Sequence, residues 1–203
     1  MDLIAVVADK NMQFAVEGLL ASQQRLGIRV IDFEVRRHPR HDPGLLRECH
    51  DFLQSWHGRA AYALVMLDRE GCGSNEARDV LEAQVESRLA QSGWTDRSAA
   101  VVIDPELEVW VWSDSPHVAT GLRCLGGQAS LQEWLIQNGY LEEGQRKPQR
   151  PKEAVEDVLK LSRTPRSSSI YREIAKQVSF QHCIDPAFVK LRSVLAQWFP
   201  PQG

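Results

Sequence analysis

The sequence predicts an α/β fold, with a parallel sheet of about four strands flanked by helices and a C-terminal helical module. Short apolar runs alternate along the first part of the chain with longer segments whose apolar residues recur at helical spacing. This β-α-β-α order is typical of parallel strands joined by right-handed crossovers. Beyond the last apolar run the pattern is helical only, which indicates the added module.

The predicted strands are four apolar runs, of which three are continuous and one alternates, at residues 3–8, 28–35, 61–67 and 99–103. Amphipathic helices are expected between them, at residues 12–20, 42–56 and 75–90. Asp42 and Pro43 have the order of a helix cap and a first-turn proline. Asp104, Pro105 and Glu106 repeat that order after the last run, so a further helix is predicted over about 105–113.

The composition is that of an ordinary globular protein of one domain, or one domain with an appendage. The chain has 203 residues, of which 43% are hydrophobic and 25% charged. Its first apolar run is interrupted at Asp9 and Lys10, too early for a signal peptide or a membrane span. The four cysteines form no Cys-x-x-Cys pair, which favours reduced thiols over a zinc ribbon. We therefore expect a cytoplasmic protein with no membrane partner.

Acidic residues follow the predicted strands. The run 61–67 ends in Asp68 and Glu70, and Glu106 follows the run 99–103. The carboxyl ends of parallel strands line the usual ligand crevice of an open sheet, and residues two apart on an extended end can point the same way. Convergent carboxylates suit a hard divalent cation such as Mg²⁺. In the alternative interpretation, Asp68 caps the turn, Glu70 is solvated and Glu106 only caps a helix.

The C-terminal part is basic. Residues 142–152 lack apolar periodicity and predict a linker between an α/β domain at 1–141 and a helical module at 153–203. Residues 144–203 carry 11 Lys and Arg against 5 Asp and Glu, whereas residues 1–143 carry 13 against 22. We expect phosphate contacts from the basic side chains near the start of the second tail helix, namely Lys160, Arg163, Arg166 and Arg172. Alternatively, this surface docks on the protein's own acidic body.

Two motifs carry a family resemblance: Leu67-Asp68-Arg69-Glu70-Gly71-Cys72-Gly73 and Pro105-Glu106-Leu107-Glu108-Val109-Trp110. They resemble the TOPRIM domain of topoisomerases, primases and overcoming-lysogenization-defect nucleases. They look closer still to a TOPRIM-related uncharacterised family often encoded beside ATPases and restriction-modification genes in bacterial phage-defence islands, including methylation-associated defence systems. The chain departs from the TOPRIM pattern in having Asp9 in place of the first-strand Glu and Glu70 in place of the second Asp of Asp-x-Asp.

The resemblance implies a component of an antiphage defence system that acts on nucleic-acid phosphodiesters, as a nuclease dependent on Mg²⁺ or Mn²⁺. Asp9, Asp68 and Glu70 would be metal ligands, and together with Glu106 they would form the catalytic set. The sequence has no Gly-Lys-Ser/Thr phosphate loop, so any ATPase activity would come from a partner. The alternative function is a non-catalytic TOPRIM-like subunit that docks a partner ATPase or another defence protein.

Overall fold

The protein has an all-parallel sheet at its centre. The computed structural model describes residues 1–113, 115–142, 144–178 and 183–201. Within these residues four strands form one sheet in the order β2-β1-β3-β4, which confirms the predicted α/β fold and strand number. The strands are Leu3–Val7 (β1), Phe33–Arg37 (β2), Tyr62–Asp68 (β3) and Ser98–Ile103 (β4).

Helices cover the sheet and continue to the C-terminal end. In the described residues the α-helices are Lys10–Leu20 (α1), Gln23–Leu26 (α2), His41–Leu53 (α3), Arg78–Leu89 (α4), Pro116–Gly121 (α5), Gly127–Gln137 (α6), Pro151–Leu161 (α7), Ser168–Gln177 (α8) and Pro186–Trp198 (α9). Short 3-10 turns occupy Gln54–Trp56 and Leu107–Trp110, and a π-turn at Ala90–Trp94 follows α4. None of the helices in these ranges combines the length and the apolar character that a membrane crossing requires.

The second strand lies later in the chain than predicted. The prediction was residues 28–35, whereas β2 begins at Phe33. Before that point the backbone is held by side chains: the Gln23 amide bonds both the N–H and the carbonyl of Ile31, and Asp2 accepts from the N–H of Asp32 at 2.8 Å. Since these backbone groups already have partners, pairing with β1 starts only beyond them.

The helix predicted over 105–113 is wrong. Only the single 3-10 turn Leu107–Trp110 forms, and Glu106 before it has an extended backbone, with φ −159° and ψ 167°. The Asp104–Pro105 peptide bond is cis. Asp104 is therefore not a helix cap here, and the carboxylate of Glu106 instead accepts a hydrogen bond from the N–H of Lys152 at the start of α7.

The C-terminal helices pack directly on the α/β body. Helix α8 lies along α1, and α9 contacts β4. Buried side chains of the sheet and of all three last helices belong to one hydrophobic cluster. Helix α9 starts at Pro186, with the Asp185 carboxylate accepting hydrogen bonds from the N–H groups of Ala187 and Phe188. The division at 142–152 stays a prediction; Glu143 in that range, and residues 179–182 and 202–203 in the predicted module, lie outside the described residues.

The contact between α1 and α8 depends on Gly18. A Cβ at Gly18 would lie 2.7 Å from the carbonyl oxygen of Arg172 and 3.0 Å from the Cβ of Ala175. In an open helix, Gly→Ala stabilises by about 0.5–1 kcal/mol. Here we expect Gly18→Ala to lower the free energy of unfolding by about 1–3 kcal/mol, because the added methyl overpacks the contact. Urea denaturation measures this, and a gain in stability would contradict the close approach.

An acidic site at the carboxyl edge of the sheet

Carboxylates gather where the strands end. Asp9 follows β1, Asp68 is the last residue of β3, and Glu106 follows β4. The topology therefore brings these three predicted catalytic residues to one edge. Burial raises the pKa of Asp68 most, and negative charges raise it further; they come from Asp42, Glu108, Asp9 and Glu106 in order of decreasing effect. We call these five residues the acidic cluster.

Asp68 is at the centre of the acidic cluster. Its Oδ1 is buried and has no hydrogen-bond partner within the described part of the chain. Burial is the largest cause that raises its pKa well above the ordinary value, and repulsion from Asp42 is the next. A buried carboxyl oxygen with no donor is costly to the fold, and either a proton or a cation would relieve that cost.

Asp42 contacts Asp68 rather than capping its own helix. The sequence predicts a cap here, but α3 starts at His41 with Arg40 at the cap position and no side-chain cap. The Asp42 Oδ1 instead accepts the backbone N–H of Asp68 at 2.8 Å. Burial raises the Asp42 pKa, and the charge of Asp9 adds to that increase. Asp42 is a site residue that sequence reasoning missed, although its place in a first turn at the same sheet edge was a usable signal.

Asp9 and Glu106 each hold the N-terminal end of a helix. Asp9 accepts the N–H of Met12 at 2.8 Å as the cap of α1. Glu106 accepts the N–H of Lys152 at 3.1 Å through Oε1, and its Oε2 lies 3.7 Å from the Lys152 ammonium. The negative charge of Glu106 also complements the α7 dipole. Burial, followed by the charge of Glu108, still raises the Glu106 pKa. Glu106 therefore caps a helix, as the alternative interpretation predicts, but the helix is α7 and not the one predicted over 105–113.

Glu108 is closed off by Tyr171. Glu108 is only 3% exposed, and the Tyr171 hydroxyl donates a hydrogen bond to its Oε1 at 2.6 Å. Burial and then the Glu108 charge raise the Tyr171 pKa, so the phenol keeps its proton. Neither residue was predicted as part of the site. Glu108 was visible beside Glu106 in one motif, but nothing in the sequence pairs it with a tyrosine in α8.

Glu70 lies at the exposed side of this edge. Its backbone N–H donates to the carbonyl of Pro105 at 2.9 Å, and its charge is among those that raise the pKa of Glu106. Over the residues that the structure describes, no three His, Cys, Asp or Glu side chains are close enough to hold one metal ion. The donor chemistry and the orphaned Asp68 oxygen fit Mg²⁺, but a complete protein cage is absent. Mg²⁺ commonly uses one or two carboxylates plus substrate phosphate and water, so a substrate would have to complete the coordination.

Most of the basic residues predicted to bind phosphate have acidic partners. Arg172 pairs with Glu17 of α1 and lies over the Phe14 ring. Arg166 pairs with Glu156 and Lys160 with Asp157, both acids belonging to α7. Arg163 is exposed, and the described residues give it no acidic partner. Only Arg172 follows the alternative prediction of docking on the acidic body.

No family model, no curated protein and no solved structure matches the chain. The chemistry of the acidic cluster therefore has to be inferred from its own contacts and charges.

The Tyr171–Glu108 hydrogen bond makes a testable contribution to stability. Tyr171→Phe leaves the Glu108 carboxylate buried without its donor, so we expect the free energy of unfolding to fall by about 1–3 kcal/mol. The control is Tyr62→Phe, because Tyr62 is half-buried and stacks on Trp198 with ring centroids 4.7 Å apart. Urea denaturation of both variants measures the effect. Equal losses would show that the Glu108 contact has no special weight.

The raised pKa of Asp68 predicts a pH-dependent effect of Asp68→Asn. As pH rises above the ordinary carboxyl value, the unfolded chain releases this proton while the folded protein retains it until the raised pKa is passed. The stability held at low pH is therefore lost as pH rises. The Asn side chain does not ionise, so the variant does not lose this stability as pH rises. We expect its free energy of unfolding to exceed that of the parent by about 1–3 kcal/mol at neutral pH, and the difference to shrink toward acid.

Thermal and urea unfolding across a pH series would measure the gain from Asp68→Asn. The profile of the variant should be flatter than that of the parent but not flat, because the pKa values of Asp42 and Glu106 are raised as well. A loss of stability that grows as pH rises would mean that the Asp68 charge stabilises the fold.

Proposed function

We propose that the chain acts on nucleic-acid phosphodiesters at the acidic cluster, as a cytoplasmic, TOPRIM-related component of a bacterial antiphage defence system. The observation that supports this activity is the buried Oδ1 of Asp68, which has no hydrogen-bond partner among the described residues and lies among four further carboxylates. Perturbed carboxyl groups of this kind gather at functional sites more often than elsewhere. The resemblance of the two acidic motifs to the phage-defence family supports the biological setting.

Because the acidic cluster is negatively charged, a phosphodiester substrate would need a divalent cation to bind there. A phosphodiester is an anion, and the carboxylates of the cluster would repel it. Asp68 would hold Mg²⁺ or Mn²⁺ together with Asp42 or Asp9, while Glu106 pairs with Lys152. When bound, the cation would supply positive charge against the charge that develops on phosphate. Without it, the raised pKa lets Asp68 keep a proton.

A second candidate function is a non-catalytic subunit that docks a partner ATPase or another defence protein. The observation that favours it is that four carboxylates of the cluster already have structural partners. Asp9 binds the N–H of Met12, Asp42 that of Asp68, Glu106 that of Lys152, and Glu108 the Tyr171 hydroxyl. In this case the acids organise helices, and a partner would bind elsewhere.

Cleavage of labelled single-stranded DNA, duplex DNA and RNA with Mg²⁺ or Mn²⁺ would separate the two functions. Under the first, Asp68→Asn abolishes cleavage, whereas Glu133→Gln, at an exposed acid of α6, leaves the rate unchanged. Calorimetric titration of Mn²⁺ should give binding at least about tenfold tighter with a phosphorothioate oligonucleotide present, because phosphate completes the coordination.

Two outcomes would contradict the phosphodiester function. Cleavage that persists in Asp68→Asn would place the activity outside the acidic cluster. A parent protein that neither cleaves any substrate nor binds Mn²⁺ with the oligonucleotide would favour the docking subunit, and affinity capture with the intact chain would then seek the partner.

A further inference from the structure

A cavity of about 530 Å³ lies between α1, the Leu107–Trp110 turn, α8 and α9. The acidic cluster lies on the other side of Tyr171, whose ring lines the cavity while its hydroxyl faces Glu108. Its volume is in the range of small-molecule sites, which run from roughly 300 to 1,000 Å³. Nothing in the proposed phosphodiester chemistry uses this space.

Most of the cavity wall is apolar. Its aliphatic part comes from α1, α8 and the chain around the 3-10 turn, with Leu19, Ile174, Val178, Leu107 and Val111. The aromatic residues turn their polar atoms away: the indole N–H of Trp110 donates to Asp185 and that of Trp112 to the carbonyl of Pro151, each at 2.9 Å. An occupant would therefore meet apolar surface, which selects an apolar body.

Positive charge lies at one end of this wall. Arg146 and Lys147 both line the cavity. Lys147 pairs with Asp185 at 3.6 Å, but the Oδ1 of that carboxylate already accepts hydrogen bonds from Trp110 and from the N-terminal end of α9. Arg146 is exposed, and the described part of the chain supplies no acid to pair with it. Among the described residues, two cations line the cavity and one carboxylate pairs with them, which leaves a net positive charge that complements an anion.

We propose that this cavity binds an amphiphilic carboxylate, of the class of medium-chain fatty acids, with its tail against the apolar wall and its carboxylate at Arg146 and Lys147. The tail supplies the affinity through buried methylene groups, and the arginine supplies selectivity for the anion through charge-assisted hydrogen bonds. This site is independent of whether the acidic cluster is catalytic.

Calorimetric titration with decanoate, decanol and acetate tests both parts of the ligand. We expect decanoate to bind one to one, decanol about tenfold more weakly because it lacks the charge-assisted contact, and acetate not measurably. Arg146→Gln should reduce decanoate affinity to that of decanol and leave decanol unchanged. Arg163→Gln, at an exposed arginine outside the cavity, should alter neither. Equal affinity for decanoate and decanol, or no binding of either, would overturn the proposal.

The location of binding can be read from the cysteines without any variant. Cys183 lines the cavity, whereas Cys124 is also partly exposed but lies outside it, and Cys49 and Cys72 are buried. Decanoate should slow alkylation of Cys183 by iodoacetamide at least about tenfold, as detected by peptide mass spectrometry, and leave Cys124 unaffected. Protection of neither cysteine, or of both to the same degree, would place the decanoate outside this cavity and overturn the assignment.

Discussion

Parallel strands end at one edge, and in this protein that geometry forces acids into a small volume. Asp68 completes β3, and Asp9 and Glu106 follow the strands on either side of it. The central strands are buried along all of β1 and along residues 63–67 of β3, so moving them to relieve the crowding would expose apolar side chains. Burial is the main cause of the raised pKa values of Asp42, Asp68 and Glu106, and repulsion from neighbouring acids raises these values further.

The basic C-terminal part offsets the acidity of the body. Lys152 binds Glu106, Arg172 binds Glu17, and Lys190 lies 3.1 Å from Glu82 and 2.7 Å from Glu86. Each pair joins one of the last three helices to the α/β body. The charge asymmetry of the sequence is therefore partly an internal complementarity, and fewer basic groups remain free for phosphate than the sequence alone suggests.

The sequence predicted well those elements that are recognisable from a short run of consecutive residues. β1, β3 and β4 each begin and end within one residue of the predicted runs, because continuous burial on both faces leaves an unambiguous apolar signal. The acids of the sheet edge followed from the same pattern. The roles of Asp42 and Glu106 did not, because each carboxylate binds backbone that lies far along the chain, at Asp68 and Lys152. Hydrogen bonds between residues so far apart in the chain produce no local pattern of residue spacing from which they could be predicted.

Tyr171 faces two environments at once. One end of its side chain satisfies a buried carboxylate, and the ring forms part of an apolar wall. Any occupant that shifts the ring would take the donor from Glu108 and change how strongly the neighbouring carboxyl groups hold their protons or a cation. By thermodynamic reciprocity, a change of charge at the sheet edge would alter affinity in the cavity by the same factor. The Tyr171 side chain is therefore a direct physical connection between the cavity and the acidic cluster.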